Sequence, residues 1–348
     1  MAISNEPGGF AGIQYLRGIA AMMVVLHHAP RGGVDWLAGT DFGSRGVEVF
    51  FVISGFIMAH TTRNLAQGRP AQALAFLKKR LIRVAPLYWI ALTWVAMPML
   101  LNRGPNLDLL LDYCFIPHWS ERYPGHVFPL LVPGWSLNYE MFFYLLFGVG
   151  ILFGRWKSAF VLVTLGALYV LGRTGSPASA AGVFYTASDV LFFAAGVLVH
   201  RLHVCRPGVA WSPATGLAAV LAGAVLLALD GSGSGVLLHT TGAGLVVYAG
   251  VVCLGRWHWK ALGTLGDASY AVYLFHAPAL PLAAWLAAQL GLSGRSGIGA
   301  VSVVGVYLVV GAAVGVLLHF LLERPLLARL TSLMGSGSGR SRASRASA

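Results

Sequence analysis

Arg17 and His28 lie eleven residues apart in one apolar stretch. On an α-helix eleven residues turn about 1100°, so both side chains leave the same face, separated by about 16 Å along the axis. His27 is turned roughly 80° from that line. A cation and a titratable ring on one face of an apolar helix are costly in a bilayer and point to a polar site inside a bundle. Glu48, Glu140 and His276 also interrupt apolar runs, while Arg80, Arg83 and Glu323 stand at the ends of others. A histidine near a carboxylate suits general-base chemistry, because the carboxylate orients imidazole and supports its charged form. Arginine suits an anionic or carbonyl-bearing group. Each residue also has a structural reading. Arg17 would snorkel, His28 would mark the lipid interface, Glu140 would favour a helix N-terminus, and Arg80 with Arg83 would be topology signals. The same ionisable set would serve a proton relay, so a proton-coupled transporter of a glycan or lipid intermediate competes with an enzyme.

The elements that must hold these residues are membrane helices. The chain has 348 residues, of which 57% are hydrophobic and 10% charged, with mean hydropathy +0.72. A soluble domain carries about 25% charged residues. The net charge of +12 fits basic cytoplasmic loops better than a nucleic-acid surface. Ten apolar stretches predict an all-α bundle of about ten transmembrane helices, over 11–30, 44–61, 84–101, 134–153, 158–172, 183–200, 214–230, 236–254, 269–290 and 298–322. The fifth is short for the usual ~20 residues. Residues 107–117, with two aspartates, read as a re-entrant or interfacial piece. Residues 1–10 form an N-terminal tail, 11–330 the membrane domain, and 331–348 a disordered Ser/Gly/Arg-rich tail. Arg17 breaks the first apolar run, so no cleavable leader is expected. Three cysteines in different compartments predict no structural disulfide, and neither metal-ligand spacing nor a nucleotide-binding motif is present. Nothing in the sequence speaks to oligomeric state.

Alternating spans put seventeen of the 24 Lys and Arg residues on one side and six on the other, with Arg17 inside a span. The richer side is expected to be cytoplasmic, with both termini. Counting from the start of each span predicts two layers. His28, Glu48 and Glu140 fall in the outer layer. Arg17 and His276 fall in the inner one, with Arg80, Arg83 and Glu323 at its rim. Ser54-Gly55 reads as a close-packing site rather than a nucleophile. His118, His126, His200, His203, His239 and His319 show no mutual ligand spacing and read as surface or packing residues.

Several motifs follow one another in order: Leu16-Arg17-Gly18-Ile19-Ala20-Ala21 to His28-Ala29, Gly46-Val47-Glu48-Val49-Phe50-Phe51, Lys79-Arg80-Leu81-Ile82-Arg83, Trp135-Ser136-Leu137-Asn138-Tyr139-Glu140, Leu265-Gly266-Asp267-Ala268-Ser269-Tyr270 to His276, and Glu323-Arg324-Pro325-Leu326. This ordered set resembles the membrane-bound acyltransferase family 3, integral membrane O-acyltransferases of bacterial surface glycans. The Asn138–Tyr144 stretch is most similar to the exopolysaccharide-production branch. Glu48 stands where aspartate is frequent in the family, and His27 adds a second histidine; helix phase favours His28.

The resemblance implies a multi-pass protein of the bacterial cytoplasmic (inner) membrane. Its implied reaction carries an acyl group, acetyl by preference, from cytoplasmic acyl-CoA to a hydroxyl of an extracytoplasmic or lipid-linked glycan. Acyl-CoA is then a co-substrate, with no tightly bound cofactor and no metal. The implied roles are His28 as base or transient acyl carrier, Arg17 on the thioester arm, and Glu140 orienting His28 or touching the sugar. Arg80 and Arg83 would meet the CoA phosphates. Glu48, Tyr139, Trp135 and His276 complete the substrate-binding set. A non-glycan acceptor is the alternative within the same chemistry.

Overall fold

The computed structural model describes residues 10–29, 42–206, 211–229, 235–292 and 297–343. Every regular element among them is helical: α1 (Ala11–His28), α2 (Arg45–Thr61), α3 (Pro70–Arg103), α4 (Leu107–Tyr113), α5 (Gly134–Leu152), α6 (Lys157–Thr174), α7 (Ala180–Tyr185), α8 (Val190–Cys205), α9 (Pro213–Ala228), α10 (Gly235–Val252), α11 (Lys260–Asp267), α12 (Ser269–Gln289), α13 (Gly297–Leu318) and α14 (Arg324–Ala343). Backbone groups in hydrocarbon must be satisfied within their own segment, which makes the helix the natural element for such apolar runs.

Nine of the ten predicted stretches centre on one helix each, and the sixth, 183–200, runs from the end of α7 into α8 across a turn at 186–189. Among the described residues, seven helical segments are long and apolar enough to cross a membrane. The segments at α1, α6 and α9 fall short of that. α1 is diluted by Gln14, Arg17, His27 and His28, α6 carries Lys157 and Arg173, and α9 has only 16 residues. α3 is longer than its apolar run. Pro70 opens it and Gly104, at φ 76°, closes it after 34 residues, about 51 Å of helix. The basic cluster at 78–83 therefore continues the third span as helix and is not a loop.

The segment at 107–117 folds as the short helix α4, capped by Asn106 on the Leu109 amide. It is tied to α3 by the Trp89 indole donating to the Tyr113 carbonyl at 2.9 Å. α13 ends in one π-type turn, His319–Glu323, before α14. α14 continues as helix to Ala343, through most of the stretch expected to be disordered. Extending an existing helix costs less than nucleating one. Residues 344–348 and 1–9 lie outside the described residues, as do Arg31 and Arg295 of the charge count.

Glycine contacts set the packing that matters for the site. Gly55 of α2 and Gly196 of α8 face each other so closely that a Cβ on either would overlap a carbonyl of the other helix, Phe193 or Val52. This is the small-residue contact by which membrane helices approach, as Ser54-Gly55 predicts. Around α1, a Cβ on Gly46 of α2 would overlap the Ala20 carbonyl, and one on Gly18 would come within 3.0 Å of the Gly266 nitrogen. These two contacts fix how α2 and α11, which α12 continues, slide along α1.

Candidate active site

The contact of Gly18 with Gly266 decides where His276 lies. Ten residues separate Gly18 from His28, and ten separate Gly266 from His276. On parallel, nearly continuous helices both intervals span about 15 Å. His276 accordingly meets His28, with ring centroids 4.8 Å apart. It does not join Arg17 in an inner layer. The depth count began α12 at the membrane surface, whereas α11 already packs on α1 beside Gln14, whose amide donates to Asp267 at 3.0 Å.

Glu140 moves the other way. The Gly46 contact with Ala20 sets antiparallel α2 so that Ser54, eight residues on, stands at about the level of Gly12, toward the start of α1. The Ser54 hydroxyl donates to Glu140 Oε1 at 3.4 Å, and the Tyr144 hydroxyl donates to the same oxygen. The charges of Arg17 and Arg80 both interact with Glu140. Among the described residues no hydrogen bond or ion pair joins Glu140 to His28. Glu140 and His276 thus exchange the layers that counting along the spans assigns them.

The resulting inner cluster joins α1, α2, α3, α5, α12 and the π turn. Arg17 donates to Gln14 at 3.2 Å and forms no ion pair among the described residues. Arg80 donates to the Thr61 hydroxyl at 3.4 Å and lies over the rings of Phe76 and Tyr144, 5.6 and 5.9 Å from their centroids. It too forms no ion pair among them. Arg83 differs. It donates to Glu323 Oε1 at 2.5 Å, and Glu323, only 1% exposed, also accepts from His319 at 2.8 Å. A carboxylate thus neutralises Arg83, while Arg17 and Arg80 keep charge available for an anion. The Tyr270 hydroxyl donates to the Val84 carbonyl at 2.7 Å and closes α12 onto α3.

The other end of α1 carries His27 and His28. His28 is exposed, and its Nδ1 lies 2.9 Å from the Val24 carbonyl. A carbonyl only accepts, so Nδ1 carries the hydrogen and Nε2 presents a lone pair. Such a ring can take a hydroxyl proton. His27 stacks edge-on against His28, centroids 5.0 Å apart.

Glu48 stands apart from both histidines. It pairs with Arg45 at 2.7 Å and lies 3.9 Å from His239. The Tyr139 hydroxyl is committed to the Phe184 carbonyl at 2.6 Å. Its ring and that of Trp135 both pack on Phe51. With Trp119, His126, Phe128 and Phe184 they border an open cavity of about 280 Å³. Among the described residues no group of three His, Cys, Asp or Glu side chains is placed to hold a metal.

Three partners in the cluster carry a local signal in the sequence: Gln14 precedes Arg17 by three residues, Tyr144 follows Glu140 by four and His319 precedes Glu323 by four, the spacings of helix neighbours. Asp267, Tyr270 and Ser54 reach the site only through tertiary packing.

A family profile described as an acyltransferase domain matches residues 10–320. The exopolysaccharide production protein ExoZ of Rhizobium meliloti (strain 1021) is 33% identical over 319 residues, covering 88% of this chain and 95% of its own. BcsY of Komagataeibacter xylinus, which carries the name of a membrane-bound transacylase, is 30% identical over 305 residues, 79% of this chain and 74% of its own. The O-acetyltransferase OatA of Staphylococcus aureus (strain NCTC 8325 / PS 47) is 28% identical over 175 residues, 46% of this chain and 28% of its own. No solved structure matches.

Proposed function

The chain belongs to the acyltransferase-domain family, and from that membership we propose that it carries an acyl group across a membrane to a glycan hydroxyl. The donor is cytoplasmic acyl-CoA, the group is acetyl, and the acceptor is an exported or lipid-linked polysaccharide. Membership makes the chain an acyltransferase; donor, acyl group and acceptor are our reading. One observation carries it. Arg17, which forms no ion pair among the described residues, and His28, with a free ring nitrogen, lie on one face of α1 about 16 Å apart, and Arg80 of α3 joins Arg17 in the inner cluster. That spacing suits a donor with an anionic head and a thin thioester arm, which an acceptor meets from the far side.

In this reading ten helices span the inner membrane, and both termini lie in the cytoplasm with the basic end of α3. Arg80, with Arg83 beside it, receives the CoA phosphates through charge-assisted hydrogen bonds. Arg17 lies on the path of the thioester arm. Glu140 holds Arg17 and Arg80 in place by charge and is itself fixed by Ser54 and Tyr144. His28 Nε2 takes the proton of the acceptor hydroxyl as its oxygen attacks the thioester carbonyl. Glu48, Trp135 and Tyr139 belong to the acceptor side, where aromatic walls suit sugar faces.

The test compares exported polysaccharide from cells with and without the gene by mass spectrometry. One acyl mass per modified residue, present only with the gene, is the expected result, together with free CoA thiol released in step. Unchanged acylation with glycan retained inside the cell would overturn the reading in favour of transport.

A further inference from the structure

The cavity of about 280 Å³ bordered by Trp119, His126, Phe128, Trp135, Tyr139 and Phe184 takes its walls from three elements. The loop between α4 and α5 supplies the first three residues, α5 the next two and α7 the last. Trp119 is 45% exposed, and among the described residues its indole neither hydrogen-bonds nor packs on another ring. Such a side chain offers a large flat apolar face and one polar edge, the indole N–H. Tyr139 differs. One face of its ring is stacked on Phe184, centroids 3.9 Å apart, and its hydroxyl is spent on the Phe184 carbonyl. No Lys, Arg, Asp or Glu lines the cavity among the described residues.

The loop that carries Trp119 is tied down. Asp112 accepts from His118 and from the Leu130 amide, which fastens both ends of the loop to α4. His118 Nδ1 donates to the Trp119 carbonyl at 3.1 Å, and the Ser120 amide donates to the His126 carbonyl at 2.9 Å. Gly125, at φ 82°, turns the chain between them. His126 lies parallel to Phe128, with planes inclined by 4°. These rings are thus held in place before a ligand arrives, which lowers the ordering cost of binding. The cavity also has a fixed relation to His28. Ser136, next to Trp135 on α5, lies hydroxyl to hydroxyl 2.6 Å from Tyr273. The Tyr273 ring is 6.0 Å from that of His276, which is 4.8 Å from that of His28. The cavity therefore stands at the His28 end of the bundle, with α5 and α12 between it and that ring.

We propose that this cavity is a subsite for an uncharged sugar residue of the acceptor chain, one that does not itself react, with Trp119 as its platform. This rests on the acyl-transfer reading above and adds where the chain is gripped and by what. The C–H face of a pyranose ring meets the indole face, and its hydroxyls reach the indole N–H and His126. A volume near the ~300 Å³ at which small-ligand pockets begin takes about one ring. A uronic acid fits poorly, because its carboxylate would lose water and find no partner. Two helices stand between the cavity and His28, so the ring held here and the hydroxyl that reacts belong to different residues. Binding at a non-reacting residue contributes to the reaction at its neighbour, and the link between them raises the effective concentration of the hydroxyl at His28. Trp119 is then a specificity residue that favours chains over single sugars.

The test follows free thiol released from acetyl-CoA by membranes containing the whole protein. The acceptors are oligosaccharides and single sugars cut from the de-esterified exported polysaccharide. The quantity read is kcat/KM for the oligosaccharides divided by kcat/KM for the single sugars. The wild type is expected to favour oligosaccharides, and Trp119→Ala to lower the ratio about tenfold, the worth of one good aromatic contact. Trp119→Phe keeps a flat ring and is expected to hold the ratio within about threefold. The KM for acetyl-CoA is expected to stay within about twofold in both variants. High salt is expected to leave the ratio in place, because the contact carries no charge. Should Trp119→Ala fail to accumulate, Trp135→Ala on α5 reads the same ratio. An active wild type without the preference, or a preference that survives loss of the ring, overturns the subsite alone and leaves Trp119 an interfacial anchor. A preference abolished by salt overturns the uncharged occupant. A wild type that releases no acceptor-dependent thiol with either acceptor overturns the transfer reading and the subsite with it.

Discussion

The three arginines of the inner cluster look alike in sequence but differ in what they can give a ligand. Arg83 is ion-paired with Glu323, while Arg80 hydrogen-bonds only a hydroxyl, lies over two rings and meets the charge of Glu140 without forming an ion pair among the described residues. Arg80→Ala is therefore expected to raise the KM for acyl-CoA about 10- to 100-fold, the worth of a hydrogen bond to a charged group. Stability should change little. Glu323→Ala should act through the fold, because removing one partner of a buried pair costs about 3–5 kcal/mol. Thermal unfolding in detergent should register that loss, and Arg83→Ala should show a smaller one, since Glu323 keeps His319. Equal effects of Arg80→Ala and Arg83→Ala on KM would show that the ion pair does not set their roles apart.

Helix contacts and loop pins decide what the elements can tolerate. A side chain at Gly55 has no room against α8. Gly55→Val is expected to destabilise by at least the ~1–3 kcal/mol of overpacking, read as a lower midpoint of thermal unfolding. The loop after α4 depends on a titratable pin. Asp112 accepts from His118 at 2.8 Å and from the Leu130 amide at 2.9 Å. The hydrogen bond to Asp112 holds His118 above its ordinary value, which lies near pH ~6.5. A raised folded-state value means that the pairing contributes fully below about pH 6.5 and fades as pH rises through the raised value. Proteolysis of 114–133 should accelerate across that window in the wild type and lose its pH dependence in His118→Ala.

At the scale of the molecule, the proposed orientation of the bundle rests on the basic bias, and the native cysteines test it. Cys114 and Cys205 are exposed, whereas Cys253 is buried. With cytoplasmic termini, Cys114 faces outward after α4 and Cys205 faces inward at the end of α8. A membrane-impermeant thiol reagent on intact spheroplasts should label Cys114 and spare Cys205, and disrupted membranes should expose both. Labelling of Cys205 alone in intact spheroplasts would invert the bundle. It would also place Arg80 on the wrong side for a cytoplasmic donor.

Composition and ordered motifs by themselves determined the helical class, the positions of the apolar segments and the family, because hydrophobic runs and local spacing are written along the chain. The shared face of Arg17 and His28 was legible for the same reason: both lie on one helix, where phase depends only on residue number. Depth was not legible. It depends on how far one helix slides along another, and that is set by contacts such as Gly18 on Gly266 and Gly46 on Ala20, which join residues remote in sequence. Counting from span starts therefore misplaced His276 and Glu140, each by the offset between helices. Only the tertiary structure set His276 against His28, drew Glu140 to Arg17 and Arg80, and gave Arg83 the direct ion pair with Glu323 that Arg80 does not form among the described residues.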